Sequence, residues 1–156
     1  MGYLSNTERD ARLSNVRRIM NEKNLDLALV YYDEFNIGNG WYLTGWCPQF
    51  ESGAVLILRD GDPMLLGGPE SEPFAKLDSA ITETRNFPVF MVPDEEYPNA
   101  TITDFPSLFE ELKGRAGTIH RCGLVGAGRM PADCYRQINE GFNGVEMIDI
   151  TDDYVA

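Results

Sequence analysis

Few residues in this chain have the types and spacing that chemistry needs. Cys122 and Cys134 lie on either side of a glycine-rich stretch, and the chain's one histidine, His120, stands two residues before Cys122. A cysteine thiolate beside an imidazole can act as a nucleophile, so this pairing is the first candidate. Gly123-Leu124-Val125-Gly126-Ala127-Gly128 falls between a strand pattern and a helix pattern, the context of a phosphate-cradling loop. Its spacing is GxxGxG instead of GxGxxG, and no lysine follows in the P-loop position. With the chain's acidity, a strand end and turn leading into the helix after Pro131 is the reading that fits. Asp33, Asp149 and Asp152 fall near strand ends, where converging carboxylates could hold two metal ions for nuclease chemistry. Asp94-Glu95-Glu96 could hold a calcium ion weakly but lacks an EF-hand pattern. Three widely spaced cysteines, no CxxC pair and one histidine argue against a Cys/His zinc site. No motif in the chain completes a catalytic centre.

Composition narrows the remaining classes. The 156 residues suffice for one domain with a real core, and 43% hydrophobic with 11% aromatic content is globular. A formal charge of −12 opposes nucleic-acid and anionic-membrane partners. The charge is uneven, since the first 24 residues hold five basic and three acidic groups. No apolar run approaches the roughly 18 residues of a membrane span, and the N-terminus is too polar for a secretory signal. A cytoplasmic chain with reduced thiols is expected.

The elements that must position these residues follow from periodicity. Thr7 with Asp10 resembles a capping box, and Leu13, Val16, Ile19 and Met20 form one helical stripe ending near Asn24, a residue suited to a left-handed C-terminus. Residues 27–31 read as a strand covered on both faces. Asp33 can cap a helix to about Leu43, with Gly38 and Gly40 implying irregularity or close backbone approach. Apolar runs 54–58 and 64–66 around Asp60-Gly61 predict a hairpin. A helix over 71–77, a strand over 81–87 and a loop over 93–99 follow. A helix capped by Thr103 or Asp104 ends at Gly114 and Gly117; then come a strand over 118–125, a helix over 131–138 and a strand over 145–150. This alternation predicts an α/β single domain of three layers, a mixed sheet with helices on both faces. The chain stops soon after the last strand with no closing helix, which reads as a domain boundary.

Two stretches carry a resemblance. Arg12 to Leu66 contains Leu25-Asp26-Leu27-Ala28-Leu29-Val30, then Asn36-Ile37, Tyr42-Leu43-Thr44-Gly45-Trp46, and Gly53-Ala54-Val55-Leu56-Ile57 before the hairpin. Cys122-Gly123-Leu124-Val125-Gly126 through Val145-Glu146-Met147-Ile148-Asp149 forms the second. In order and spacing these resemble the N-terminal domain of the creatinase/prolidase/aminopeptidase P family. The resemblance implies a ribonuclease-H-like fold and no catalytic residues within 1–156. The chemistry of such proteins sits in a following "pita-bread" domain, where two Asp, one His and two Glu bridge two metal ions, often manganese or cobalt. Creatinase keeps that fold but works without metal. It also implies two partners, the chain's own C-terminal catalytic domain and a second protomer, and a role in assembly and substrate access. The segment placed for that role is Trp46-Cys47-Pro48-Gln49-Phe50-Glu51. Trp46, Gln49, Phe50 and Glu51 could line a pocket mouth, although core packing suits the two aromatics as well. The stretch has no arginine before Arg59, which favours peptide substrates over creatine-like ones. A free-standing small-molecule binding protein of the same fold is the alternative.

Overall fold

The computed structural model describes residues 4–33, 35, 37–46, 51–70, 72–91 and 98–155. Its first helix, α1 (Asn6–Glu22), is capped by Ser5, whose hydroxyl accepts the Glu8 N–H at 3.2 Å. The cap therefore falls two residues before the expected Thr7, because Ser5 and Glu8 hold the Ser-x-x-Glu spacing more fully than Thr7 and Asp10. The predicted stripe is buried at Val16, Ile19 and Met20. At the other end Asn24 is left-handed, at φ 55°. Its N–H donates to Asn21 O and that of Leu25 to Met20 O, at 3.3 and 2.8 Å, a Schellman ending.

That ending turns the chain directly into β1 (Leu27–Tyr32), buried throughout. Alternation splits its side chains: Leu27, Leu29 and Tyr31 enter one core cluster, Ala28, Val30 and Tyr32 the other. The strand is the middle of the molecule.

Helix α2 (Ile37–Thr44) leads to the hairpin of β2 (Gly53–Leu58) and β3 (Met64–Gly67). Asp33 does not cap α2 directly; its carboxylate accepts the Phe35 N–H at 2.9 Å, shaping the turn before the helix. Gly40 is there for close approach: a Cβ would lie 2.6 Å from the Tyr32 ring. In the hairpin turn Gly61 takes φ 87°, and the Arg17 guanidinium clips α1 onto the Leu58 and Gly61 carbonyls. Then follow α3 (Glu72–Asp78), β4 (Thr84–Asn86), α4 (Phe105–Ala116), β5 (Arg121–Val125), α5 (Ala132–Gly141), β6 (Glu146–Asp149) and α6 (Thr151–Val155).

The sheet order is β4-β3-β2-β1-β5-β6. β2 pairs antiparallel with both β1 and β3, and the other pairings are parallel. One cluster joins β1 to α1, α2, α3 and α6 through residues such as Val16, Leu43, Ala75 and Tyr154; the other joins it to α4 and α5. The predicted sandwich, a mixed sheet with helices on both faces, is what forms.

Several boundaries differ from expectation. The strand expected over 81–87 is only β4, since Pro88 opens a short 3-10 turn, Pro88–Phe90. The strand over 118–125 begins at Arg121, because the Asp26 carboxylate takes the His120 and Arg121 N–H groups at 2.8 and 3.1 Å. Asp104, not Thr103, caps α4, and Gly117 ends it at φ 75° while Gly114 stays helical. A closing helix does exist: Asp149 accepts the Thr151 N–H at 2.9 Å and starts α6. Tyr154 then donates to Asn39 O at 2.6 Å and meets the Tyr42 ring edge-on, tying α6 to α2.

On the opposite side, Arg85 and Arg115 interleave with Glu83 and Glu111 at 2.7–3.2 Å, joining β4 to α4. Hydrogen bonding to Arg115 holds the Glu83 carboxyl below its usual 4.5 despite partial burial. A depressed folded-state pKa adds stability above the unfolded pKa and loses it as pH falls through the folded value. Glu83→Gln should therefore destabilise by up to about 1 kcal/mol near neutral pH, an amount set by solvent screening. Paired urea melts across pH check this: the difference from wild type should vanish well below pH 4.5.

Candidate functional site

The carboxyl ends of β1, β3 and β4 and the start of β2 meet at one edge of the sheet, the edge where open α/β sheets place ligands. Tyr32, Ser52, Gly67, Gly68 and Asn86 mark these ends around a shallow cleft of about 10 Å3, which Trp46, Glu72 and Thr84 also line.

Trp46 is half-buried and packs against the core beneath it. Its N–H donates to the Thr44 hydroxyl at 3.1 Å, and that hydroxyl lies 2.8 Å from both the Gly40 and Trp46 carbonyls. The Thr44 carbonyl in turn accepts the Ala80 N–H at 2.9 Å. The end of α2 thus presents Trp46 from a fixed base. Glu51 is 3% exposed, with its carboxylate against the Cα of Gly68, so a side chain at Gly68 would collide with it. Glu51 therefore underlies the cleft and does not project from its rim. Gln49, Phe50 and Cys47 lie outside the described residues, as do residues 93–97 of the expected loop, Asp94-Glu95-Glu96 among them.

Sequence reading missed Tyr32, Ser52, Glu72, Thr84 and Asn86. The available signal was Gly67-Gly68 after an apolar strand, which marks close backbone approach. The polar walls are already bonded: Thr84 donates to Glu72 at 2.6 Å, and the Asn86 amide donates to Thr101 O at 3.1 Å.

The competing constellations come apart in three dimensions. Gly123 is a packing glycine, with Leu25 and Ile150 2.7 and 2.8 Å from where its Cβ would sit. The Gly126 N–H is occupied by the Thr151 hydroxyl, and the Gly126 carbonyl accepts from Arg129 and Met130. This is the strand end and turn, with those groups committed inside the protein. Asp33 accepts from the Tyr31 hydroxyl and Phe35 N–H, and Asp149 starts α6. Among the described residues no three His, Cys, Asp or Glu side chains group to hold a metal.

His120 is exposed, whereas Cys122 and Cys134 are buried in the core. Burial pushes both thiols up, Cys134 to about 12, away from the thiolate a nucleophile requires. Iodoacetamide at mildly alkaline pH should leave both unmodified in the folded chain and alkylate both in urea. Peptide mapping reads the result.

Against known proteins, the creatinase/prolidase N-terminal domain model matches residues 12–154. This chain belongs to that family. Among curated proteins none matches it. Among solved structures, the N-terminal domain of the cytoplasmic peptidase PepQ from Mycobacterium tuberculosis H37Rv superposes with a TM-score of 0.66 at 16% identity, covering 93% of this chain and 96% of that one. An Xaa-Pro aminopeptidase from Streptococcus pyogenes gives 0.62 at 18%, with 93% of each chain covered. The prolidase of Pyrococcus horikoshii OT3 gives 0.63 at 17%, over 93% of this chain. The creatinase/prolidase N-terminal domain described here spans 33% of that prolidase. At these identities the likeness is one of fold.

Proposed function

We propose that this chain is the non-catalytic N-terminal domain of an Xaa-Pro peptidase-like hydrolase. In that setting it packs with its own catalytic domain and a second protomer, and its 46–51 connection limits access to the active site. The observation that carries the reading is the family match over residues 12–154. The fold neighbours are prolidases and Xaa-Pro aminopeptidases by name, which points to the same substrate class. Trp46, on a fixed base beside the cleft, supports the access role. Gln49, Phe50 and Glu51 belong to the same proposed element.

A dinuclear manganese or cobalt centre belongs, on this reading, to the catalytic domain. The described residues of this chain do not fit such a pair of ions, so no step through a metal is assigned to them. Among the described residues no helix is long and apolar enough to cross a membrane. One fold neighbour is named a cytoplasmic peptidase, and we place this chain in the same compartment. The cleft beside Trp46, with room for about 10 Å3, falls far short of the roughly 300–1,000 Å3 of small-molecule sites, so this cleft by itself does not support the small-molecule binding alternative.

The test is direct. The purified chain, supplied with manganese or cobalt, should not hydrolyse Xaa-Pro dipeptides; turnover that co-elutes with the chain through successive columns would overturn the proposal. In a protein joining this domain to its catalytic domain, Trp46→Ala should alter KM for longer peptides more than for dipeptides. Identical KM values for both classes would remove the access role.

A further inference from the structure

The sequence contains two Asn-Gly pairs, Asn39-Gly40 and Asn143-Gly144, and the fold treats them in opposite ways. Asparagine followed by glycine is chemically labile, because glycine has no side chain to hinder its nitrogen from approaching the asparagine amide. Whether the pair reacts depends on exposure and on the freedom of the backbone between the two residues.

Asn39 and Gly40 lie inside α2. Gly40 is buried with its Cα against the Tyr32 ring, and the Asn39 carbonyl is held by the Tyr154 hydroxyl at 2.6 Å. Asn143 and Gly144 are both exposed, in the turn from α5 to β6. That turn is closed by one hydrogen bond, Val145 N–H to Phe142 O at 3.1 Å. Gly144 has φ 82° while Asn143 has no positive φ, which makes this a type II turn. The middle N–H of such a turn takes no part in its closing bond. No described group accepts the Gly144 N–H, and the Asn143 amide makes no hydrogen bond to a described residue. Nothing lies within 4 Å of where a Gly144 Cβ would sit, so there is room around the reacting atoms.

We propose that Asn143 is a modification site, where this chain deamidates spontaneously through attack by the Gly144 nitrogen. That nitrogen gives its proton to solvent base and bonds to Asn143 Cγ. The Cγ–Nδ2 bond breaks, the side-chain nitrogen takes up a proton and leaves as ammonia, and a five-membered succinimide remains. Water then opens the ring at either carbonyl, giving an aspartyl or an isoaspartyl linkage at position 143. Either product adds a carboxylate three residues before β6, whose first residue is Glu146, in a chain already at −12. The isoaspartyl form also lengthens the backbone between Phe142 and Val145, both buried, and so disturbs the corner where α5 meets the sheet.

The experiment ages the folded chain at mildly alkaline pH and body temperature and follows both asparagines by peptide mapping and mass spectrometry. A parallel sample is kept in urea. In urea the two pairs should convert at similar rates. In the folded chain Asn143 should convert at least about ten-fold faster than Asn39, the ratio that an opening free energy of about 1.4 kcal/mol for α2 produces. The accumulating acidic isoform on isoelectric focusing should disappear in Asn143→Gln. Equal native rates, faster conversion at Asn39, or an intact Asn143 in the folded chain while the urea sample converts would each overturn the proposal. So would an acidic isoform that persists at the same rate in Asn143→Gln.

Discussion

Phe105→Ala is expected to lower stability by about 3–5 kcal/mol, the usual effect of deleting a buried aromatic ring. Phe105 is 2% exposed at the start of α4, and four rings depend on its position. It stacks on Phe87 with centroids 4.4 Å apart and planes at 15°. Phe90 and Phe142 meet it edge-on at 6.3 and 6.1 Å, and Phe142 continues to Phe109 at 5.5 Å. The cluster joins the segment after β4 to α4 and to the residue following α5. The Gly141 backbone of α5 already lies against the Phe105 Cβ, so the two helices have little room to close over the loss. Urea titration of wild type and variant should show a large drop in midpoint with little change in slope. A loss below about 1 kcal/mol, which corresponds to a site able to collapse, would contradict this picture.

Gly141→Ala is expected to cost about 1–3 kcal/mol or more, although alanine is the better helix former. Gly141 closes α5 where it crosses the start of α4, and an added Cβ would collide with the Phe105 Cβ. It would also stand 3.0 Å from the Phe105 carbonyl carbon and 3.1 Å from the Pro106 nitrogen. Those last two are backbone atoms held by the Asp104 cap, so they cannot move aside as a side-chain tip would. In the double variant the two losses should accumulate, because Phe105→Ala leaves in place every atom that the new methyl strikes. Thermal melts of the four proteins measure this. Relief of the Gly141→Ala loss in the Phe105→Ala background would place the clash on the ring and refute the backbone argument.

These two variants mark where sequence reading stopped. Leu108, Phe109 and Leu112 on one face of α4 were legible from their spacing, and they are buried as expected. The partner of that face was not, since Gly141 and Phe142 come from the end of α5 and the residue after it, some thirty residues later. Strand β1 was read correctly because burial on both sides leaves an unbroken apolar run, whereas β4 was overextended because Ile81 and Phe87 are buried outside the sheet. The closing helix α6 was missed because its five residues are too few for periodicity to show, and its start depends on Asp149 turning back on Thr151. At the candidate site, Trp46 was legible as an aromatic on a glycine-and-proline connection. The cleft it lines was not, because Ser52, Gly68, Thr84 and Asn86 come together only when four strand ends align.

What the sequence determined by itself was the order of elements, the three-layer class, and membership in a family with an ordered series of short matches. Local rules suffice for these: side-chain alternation in strands, helical stripes, caps, and glycines at positive φ act over a few residues. Only the tertiary structure decided which chemical groups are available. His120 and Cys122 are two residues apart, yet one is exposed and the other buried, because His120 lies just before β5 begins at Arg121 while Cys122 sits inside the strand, paired between β1 and β6 in the core. Glu51, an unremarkable acid in a polar stretch, is buried against Gly68 because two strand ends meet there. Two identical Asn-Gly pairs differ in reactivity because one is held in a helix over Tyr32 and the other stands in an open turn. Contacts between distant segments set burial, and burial sets which side chains can react.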